Sequence, residues 1–177
     1  MRGLERSIRA LARDQDGAVL VMAALVLPIL LFCLAGVDLL MIDATRTRMT
    51  IAAEAAALAA ARELPDEAAA RSAASALLDA NLAGEPGAGD YPTATIHIGS
   101  WDGARFEARA TPATAVSVGL SRSVDAGNGL PLVILTVGGL HRIDVSAGAA
   151  AAYDETACLD AGPGAAACVA RLVAARD

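Results

Sequence analysis

Few residues in this sequence are of a type that could do chemistry. The two histidines, His97 and His141, stand far apart, and neither belongs to a spacing typical of a metal site. His97 alternates with isoleucines, as a half-exposed residue of a strand does, and His141 follows a glycine-rich turn. The sequence contains no nucleophile elbow, no phosphate-binding loop and no Cys-x-x-Cys pair. We therefore expect no catalytic residue, no cofactor and no metal site.

Cys158 and Cys168 are the two residues best suited to form a covalent bond. The segment between them is rich in turn-forming residues. In an oxidising compartment two nearby cysteines usually pair, and closing a loop of this size stabilises a protein by ~2–3 kcal/mol in the chain-entropy model. The sequence predicts a disulfide, with two free thiols as the alternative. Cys33 lies in an apolar stretch and is interpreted as a small apolar residue.

That apolar stretch predicts a membrane anchor. Residues 17–37 are 21 consecutive residues without a formal charge. As a helix they would be roughly 31 Å long, close to the ~30 Å hydrocarbon core of a bilayer. A signal peptide has a shorter apolar region that ends at a cleavage site, whereas this one continues beyond Asp38 into residues 39–42. We predict an uncleaved transmembrane helix over residues 17–42, with a buried core helix as the alternative.

Charges on either side of the span predict its orientation. Four arginines at helical spacing precede it in a basic segment, residues 1–16, and only Arg46 and Arg48 follow it closely. By the positive-inside rule the N-terminus is cytoplasmic and the remainder is exported. We therefore expect a single-pass protein of the bacterial inner membrane with a periplasmic domain. The net charge of −6 argues against nucleic acid as a partner.

Asp38 marks the outer boundary of the predicted span. A carboxylate at this level is either solvated at the membrane surface or paired with a charge on another subunit. The sequence leaves both interpretations open.

An alanine-rich helical region, residues 43–84, follows the span. Residues 43–63 contain neither glycine nor proline, and alanine is the best helix former, so one helix should run from about residue 18 to 63. Its small face holds Ala52, Ala56 and Ala60, which would let another element approach closely. That element is either the protein's own domain or another subunit. A second helix should start with Pro65 in its first turn and end near Gly84.

The pattern changes to that of a sheet in residues 91–152. Alternating and β-branched residues predict strands over 93–98, 105–109, 115–121 and 143–147, with a turn over 99–103. Residues 132–137 are compatible with a buried strand or a short helix. The predicted fold class is α+β, in a pilin-like layout: a long N-terminal transmembrane helix continues into an exported domain of helices packed on a small antiparallel sheet. Residues 153–177 form a C-terminal segment with the disulfide loop.

Two groups of residues carry a resemblance to a known family. The N-terminal group comprises Asp16-Gly-Ala-Val, the span with Leu27-Pro28, Asp38, Asp43, Arg46, Arg48 and the alanine run 52–61. The second group comprises Ile98-Gly-Ser-Trp-Asp-Gly103, Phe106, Thr111-Pro-Ala-Thr-Ala-Val-Ser-Val118, Leu130-Pro-Leu132, Gly139 and Val145-Ser-Ala147. In this order, over about residues 14–152, they resemble TadG-like proteins of the Flp (Tad) pilus assembly system.

The resemblance implies a membrane-anchored, non-catalytic accessory component, similar to a minor pilin, whose partners are other pilus-assembly or pilin subunits and the lipid bilayer. Two features of related proteins are missing. Gly17 is followed at the offset of the prepilin-peptidase glutamate by Met22, and the sequence has no Asp-x-Ser-x-Ser metal motif. The alternative function is a membrane-tethered periplasmic module that binds envelope polymers or solutes.

Overall fold

The computed structural model describes residues 15–83, 92–153 and 170–173. Two helices come first, α1 (Gln15–Arg62) and α2 (Glu67–Leu82). Seven strands follow: β1 (Thr93–Trp101), β2 (Phe106–Ala108), β3 (Ala115–Arg122), β4 (Leu130–Pro131), β5 (Arg142–Ile143), β6 (Val145–Tyr153) and β7 (Ala170–Val173). A 3₁₀ helix, Leu135–Gly138, lies between β4 and β5. The α+β layout predicted from the sequence is confirmed.

The long helix α1 is continuous, as its composition predicts. It spans 48 residues and includes Pro28. The helix ends at Arg62, and a turn over residues 63–65 leads to α2. Asp66 is the N-cap of α2, where its Oδ1 accepts hydrogen bonds from the backbone N–H groups of Ala68 and Ala69, each at 3.0 Å. The expectation that Pro65 lies in the first turn of the helix is wrong, because the capping carboxylate follows it.

Five strands form one antiparallel sheet in the order β2-β1-β3-β6-β7. In β3, Val116, Val118 and Leu120 alternate with partly exposed residues, so they form one buried face. Helix α1 packs against β6, β3 and β7, and α2 packs mainly on α1. The core therefore lies between the sheet and the C-terminal half of α1.

Two local predictions for the sheet are wrong. The predicted turn over residues 99–103 starts later, because β1 continues to Trp101, which pairs with Phe106. Asp102 closes the turn by accepting hydrogen bonds from the N–H groups of Ala104 and Arg105, both at 2.7 Å. These bonds lower the pKa of Asp102.

The final strand was also predicted incompletely. Strand β6 begins at Val145 and takes in the alanine tract through Tyr153, and β7 pairs with it as a further edge strand. Alanine favours helices in isolation, but here the tract pairs along its length with β3. The interaction with β3 therefore outweighs the local preference.

Residues 132–137, which the sequence left open, do not form a strand. Leu135–Gly138 is a 3₁₀ helix that ends at Gly139, whose positive φ of 87° favours glycine. The strands on either side, β4 and β5, pair as a separate two-stranded sheet. The result is a loop that projects from the base formed by these two strands.

Candidate functional site

Large apolar side chains cover the N-terminal half of α1 on its outside. From Val21 to Met41 most leucine, isoleucine, valine and methionine residues are exposed, and Phe32 is the most open at 84%. By length and composition this helix is able to cross a membrane. Cys33 lies in the same stretch as an exposed free thiol.

The C-terminal half of α1 is buried through its small residues. Ala52, Ala56 and Ala60 are almost completely buried and belong to the core cluster. Their neighbours in this cluster include Ala70 and Ala74 of α2. Of the two interpretations of the alanine face, the structure favours packing within the protein's own domain, because these side chains are not available to another subunit.

Asp38 lies between the two halves of α1 and binds a loop of the sheet domain. Its carboxylate accepts three backbone hydrogen bonds, from the N–H groups of Val133 (3.0 Å), Ile134 (2.8 Å) and Leu135 (2.7 Å). The side chain is fully buried, with 0% of its surface exposed. This contact differs from a carboxylate solvated at the membrane surface, and it was not predicted from the sequence. The carboxylate holds a loop that lies 95 to 97 residues away in the chain.

We call residues 133–140, which Asp38 holds, the junction loop. Thr136 Oγ1 donates to the carbonyl of Val133 at 2.6 Å, and the N–H groups of Val137, Gly139 and Leu140 donate to carbonyls within the loop. The loop contains no charged residue. Its conformation is therefore fixed by its own backbone bonds and by one carboxylate from α1.

The base of the junction loop is fixed to the domain. Leu130 and Leu132 are buried, and the N–H of Leu132 donates to the carbonyl of His141 at 3.0 Å. Arg142 Nη1 donates to the carbonyls of Gly127 and Gly129 at 3.2 and 3.1 Å. The loop is thus tied at its base to the sheet domain and along its start to α1.

A buried polar group next to this base also escaped the sequence analysis. Arg122 Nε donates to the carbonyl of Asn128 at 3.1 Å, and Asn128 Oδ1 accepts from the N–H of Ser123 at 2.8 Å. Asn128 Nδ2 donates to Thr93 Oγ1 at 3.2 Å. An arginine at the end of a strand gives no sequence signal for such a role, because its carbonyl partner lies in a turn.

The structure places the two histidines on the surface. His97 and His141 are both exposed. Within residues 15–83, 92–153 and 170–173, no group of three or more His, Cys, Asp or Glu side chains is placed to hold a metal ion. The predicted disulfide cysteines, Cys158 and Cys168, and the basic segment up to residue 14 lie outside the described residues. The disulfide stays a prediction.

Comparison with known families singles out α1. Residues 17–63 match the family model of the Flp pilus-assembly TadE/G-like proteins, named Tad. This segment is TadE/G-like. The match begins near the start of α1 and ends one residue after it, so it includes the exposed apolar half, Asp38 and the alanine face. It supports involvement in Flp pilus assembly, and together with the apolar helix it indicates membrane anchoring.

For the chain as a whole, no match was found among curated proteins or among solved structures. The resemblance of residues 98–147 to the exported domain of TadG-like proteins therefore stays a prediction.

Proposed function

We propose that this protein is a single-pass, non-catalytic component of Flp (Tad) pilus assembly. It is anchored in the bacterial inner membrane by the N-terminal half of α1 and carries its folded domain in the periplasm. The observation that supports this most strongly is the TadE/G-like match over residues 17–63, which coincides with the helix that joins the span to the domain core.

The proposed orientation depends on charge. The four arginines before residue 15 favour a cytoplasmic N-terminus, since basic residues flanking a span are retained on that side. The domain that follows would then be exported. An oxidising periplasm is also the compartment in which the predicted Cys158–Cys168 bond would form.

The contact surface for partner subunits would lie on the outward face of α1. Because the alanine face packs inside the domain, another pilus subunit would meet the opposite side of the helix. Positions 37, 40, 44, 47 and 51 recur at helical spacing and are all exposed. Val37, Leu40 and Ile51 are the large apolar residues of this face, and Ile51 lies at its domain end. We call positions 37–51 on this side the outward stripe.

Replacing Ile51 by alanine tests this proposal. Ile51 is exposed, so the Ile51→Ala change should leave the protein level and the melting temperature of the full chain nearly unchanged. Fewer pili and lower recovery of co-purified pilus subunits are expected, because an apolar contact on the outward stripe is lost. Pili are counted by electron microscopy, and partners are quantified after detergent extraction.

Val124→Ala is the matched control, since Val124 is an exposed valine in a turn far from the outward stripe along the chain. It should not change piliation. Normal piliation in cells that lack this protein entirely would contradict the proposed function. Normal piliation with Ile51→Ala alone, in a strain that needs the protein, would contradict only the outward stripe.

A further inference from the structure

We propose that the junction loop is a second membrane contact, which inserts its apolar side chains into the surface of the bilayer that α1 crosses. The inference extends the proposed function, because it depends on α1 being a membrane anchor. The occupant of this surface is lipid.

The position of the junction loop is the first observation that supports a membrane contact. Asp38 is the first charged residue after the 21 uncharged residues of the span, so its carboxylate marks the level at which the span ends. The same carboxylate binds the N–H groups of Val133, Ile134 and Leu135. The junction loop is therefore held at the boundary of the bilayer.

Exposure on α1 indicates which way the loop extends. Leu31 and Leu34 lie seven and four residues before Asp38, on the same helical face. They are 37% and 38% exposed, whereas Val37 and Leu39, which flank Asp38 on other faces, are 49% and 61% exposed. The face of the span below Asp38 is thus partly shielded, as expected if the loop lies alongside it.

The side chains of the loop have the chemistry of a lipid contact. Among the described residues after Met41, six large apolar side chains are exposed, and three of them, Val133, Val137 and Leu140, belong to the junction loop. Val137 is 75% exposed. Three side chains are too few for a stable protein interface, but they are enough to extend a membrane contact that a transmembrane helix already provides.

Most backbone N–H groups of the junction loop have hydrogen-bond acceptors within the protein, as a poorly hydrated environment requires. Immersing a loop in lipid is costly because unpaired N–H groups lose their hydrogen bonds to water. Here the N–H groups of residues 133, 134 and 135 donate to Asp38, and those of 137, 139 and 140 donate to carbonyls of the loop itself. Six of the eight loop residues thus have their N–H groups satisfied without water.

Tryptophan fluorescence of the full-length protein in bilayers tests the inference. The sequence has one tryptophan, Trp101, which lies at the end of β1. In a Trp101→Phe background, three single reporters are introduced separately: Phe32→Trp in the span, Val137→Trp in the junction loop and Val124→Trp in an exposed turn. Each variant is reconstituted in phosphatidylcholine vesicles with and without lipids brominated near the top of their acyl chains. Acrylamide serves as the aqueous quencher.

The Val137→Trp reporter should lose emission to brominated lipid, be shifted to the blue and be protected from acrylamide. The Val124→Trp reporter controls for the general preference of tryptophan for membrane interfaces. It should not be quenched by brominated lipid, and it should be quenched by acrylamide. Equal behaviour of these two reporters would overturn the inference. Protection from acrylamide without quenching by brominated lipid would also overturn it, in favour of a contact with a second copy of the chain.

The Phe32→Trp reporter separates this inference from the proposed anchor. Quenching of Phe32→Trp by lipid brominated deeper in the acyl chains, with a water-exposed Val137→Trp, would leave the anchor intact and reject the junction-loop contact. A Phe32→Trp reporter that no brominated lipid quenches would reject both.

Discussion

The two halves of α1 differ in the side chains that they expose and bury. The N-terminal half exposes its leucines, valines and phenylalanine, whereas the C-terminal half buries alanines. In water this would be an inverted distribution, because large apolar residues normally supply the core. The contrast teaches that each half meets a different environment: lipid around the large side chains, and closely packed protein around the small ones.

The packing of the alanine-rich C-terminal half of α1 is stabilised more by the close approach of neighbouring elements than by the apolar area that each side chain buries. An alanine side chain removes little apolar surface from water, so each contributes little by itself. Many short contacts between elements at close range supply the stabilisation instead. A core of this kind should tolerate added volume poorly, while the lipid-facing half should be indifferent to it.

The largest effect is expected at the boundary between the halves, from Asp38→Ala. The change leaves the N–H groups of Val133, Ile134 and Leu135 without their acceptor, and hydrogen bonds to charged groups contribute about 1.5–3 kcal/mol each. Because the three bonds share one carboxylate, their contributions are not additive, and we expect the docked junction loop to lose at least about 3 kcal/mol, or roughly 100-fold in amide exchange protection. Hydrogen–deuterium exchange of residues 133–135 measures this.

The control for that prediction is Asp43→Ala, which removes an exposed carboxylate from the same helix. It should not change exchange in the junction loop. Unchanged protection of residues 133–135 in Asp38→Ala would show that the loop does not depend on the carboxylate.

A smaller effect is expected inside the alanine half, from Ala56→Leu. Ala56 has no exposed surface, and overpacking such a site costs about 1–3 kcal/mol. Ala24→Leu makes the same change at an exposed position in the N-terminal, lipid-facing half of α1 and keeps helix propensity high. Thermal unfolding in detergent should show a lower melting temperature for Ala56→Leu alone. Equal melting temperatures for both variants would refute the contrast between the two halves.

The smallest effect is expected at the start of α2, which covers the alanine half. Asp66→Ala removes the acceptor for the N–H groups of Ala68 and Ala69 and should cost about 1 kcal/mol. Asp66→Ser keeps an oxygen at the cap and should restore most of the stability. If serine were no better than alanine in chemical unfolding, the cap would not contribute through its hydrogen bonds.

Local patterns were enough to predict most of the fold. The absence of glycine and proline over residues 43–63 indicated that the helix continues beyond the span, and the structure has it as far as Arg62. Alternation predicted the first six of the nine residues of β1 and seven of the eight residues of β3. These features depend on residues close together in sequence, where composition carries the information.

The site could not be predicted in the same way. Asp38 and Val133 are separated by 95 residues, and a carboxylate that accepts backbone N–H groups leaves no pattern in the partner segment. Residues 132–137 were ambiguous because their conformation depends on this distant acceptor. The sequence marked the alanine face as a packing surface, but it could not distinguish an internal neighbour from an external one, since both require small residues.

The unbroken course of α1 has a mechanical consequence. At 1.5 Å per residue, its 48 residues form a rod about 72 Å long that passes from the span into the core without a break. A tensile force applied along the axis of this helix, between the span and the sheet domain, would act parallel to the interface of the helix with the sheet. The interface between α1 and the sheet would then be loaded in shear, and many contacts would resist the force at once. At the membrane end of this interface, the hydrogen bonds of Asp38 to the junction loop would resist sliding of the helix along the domain.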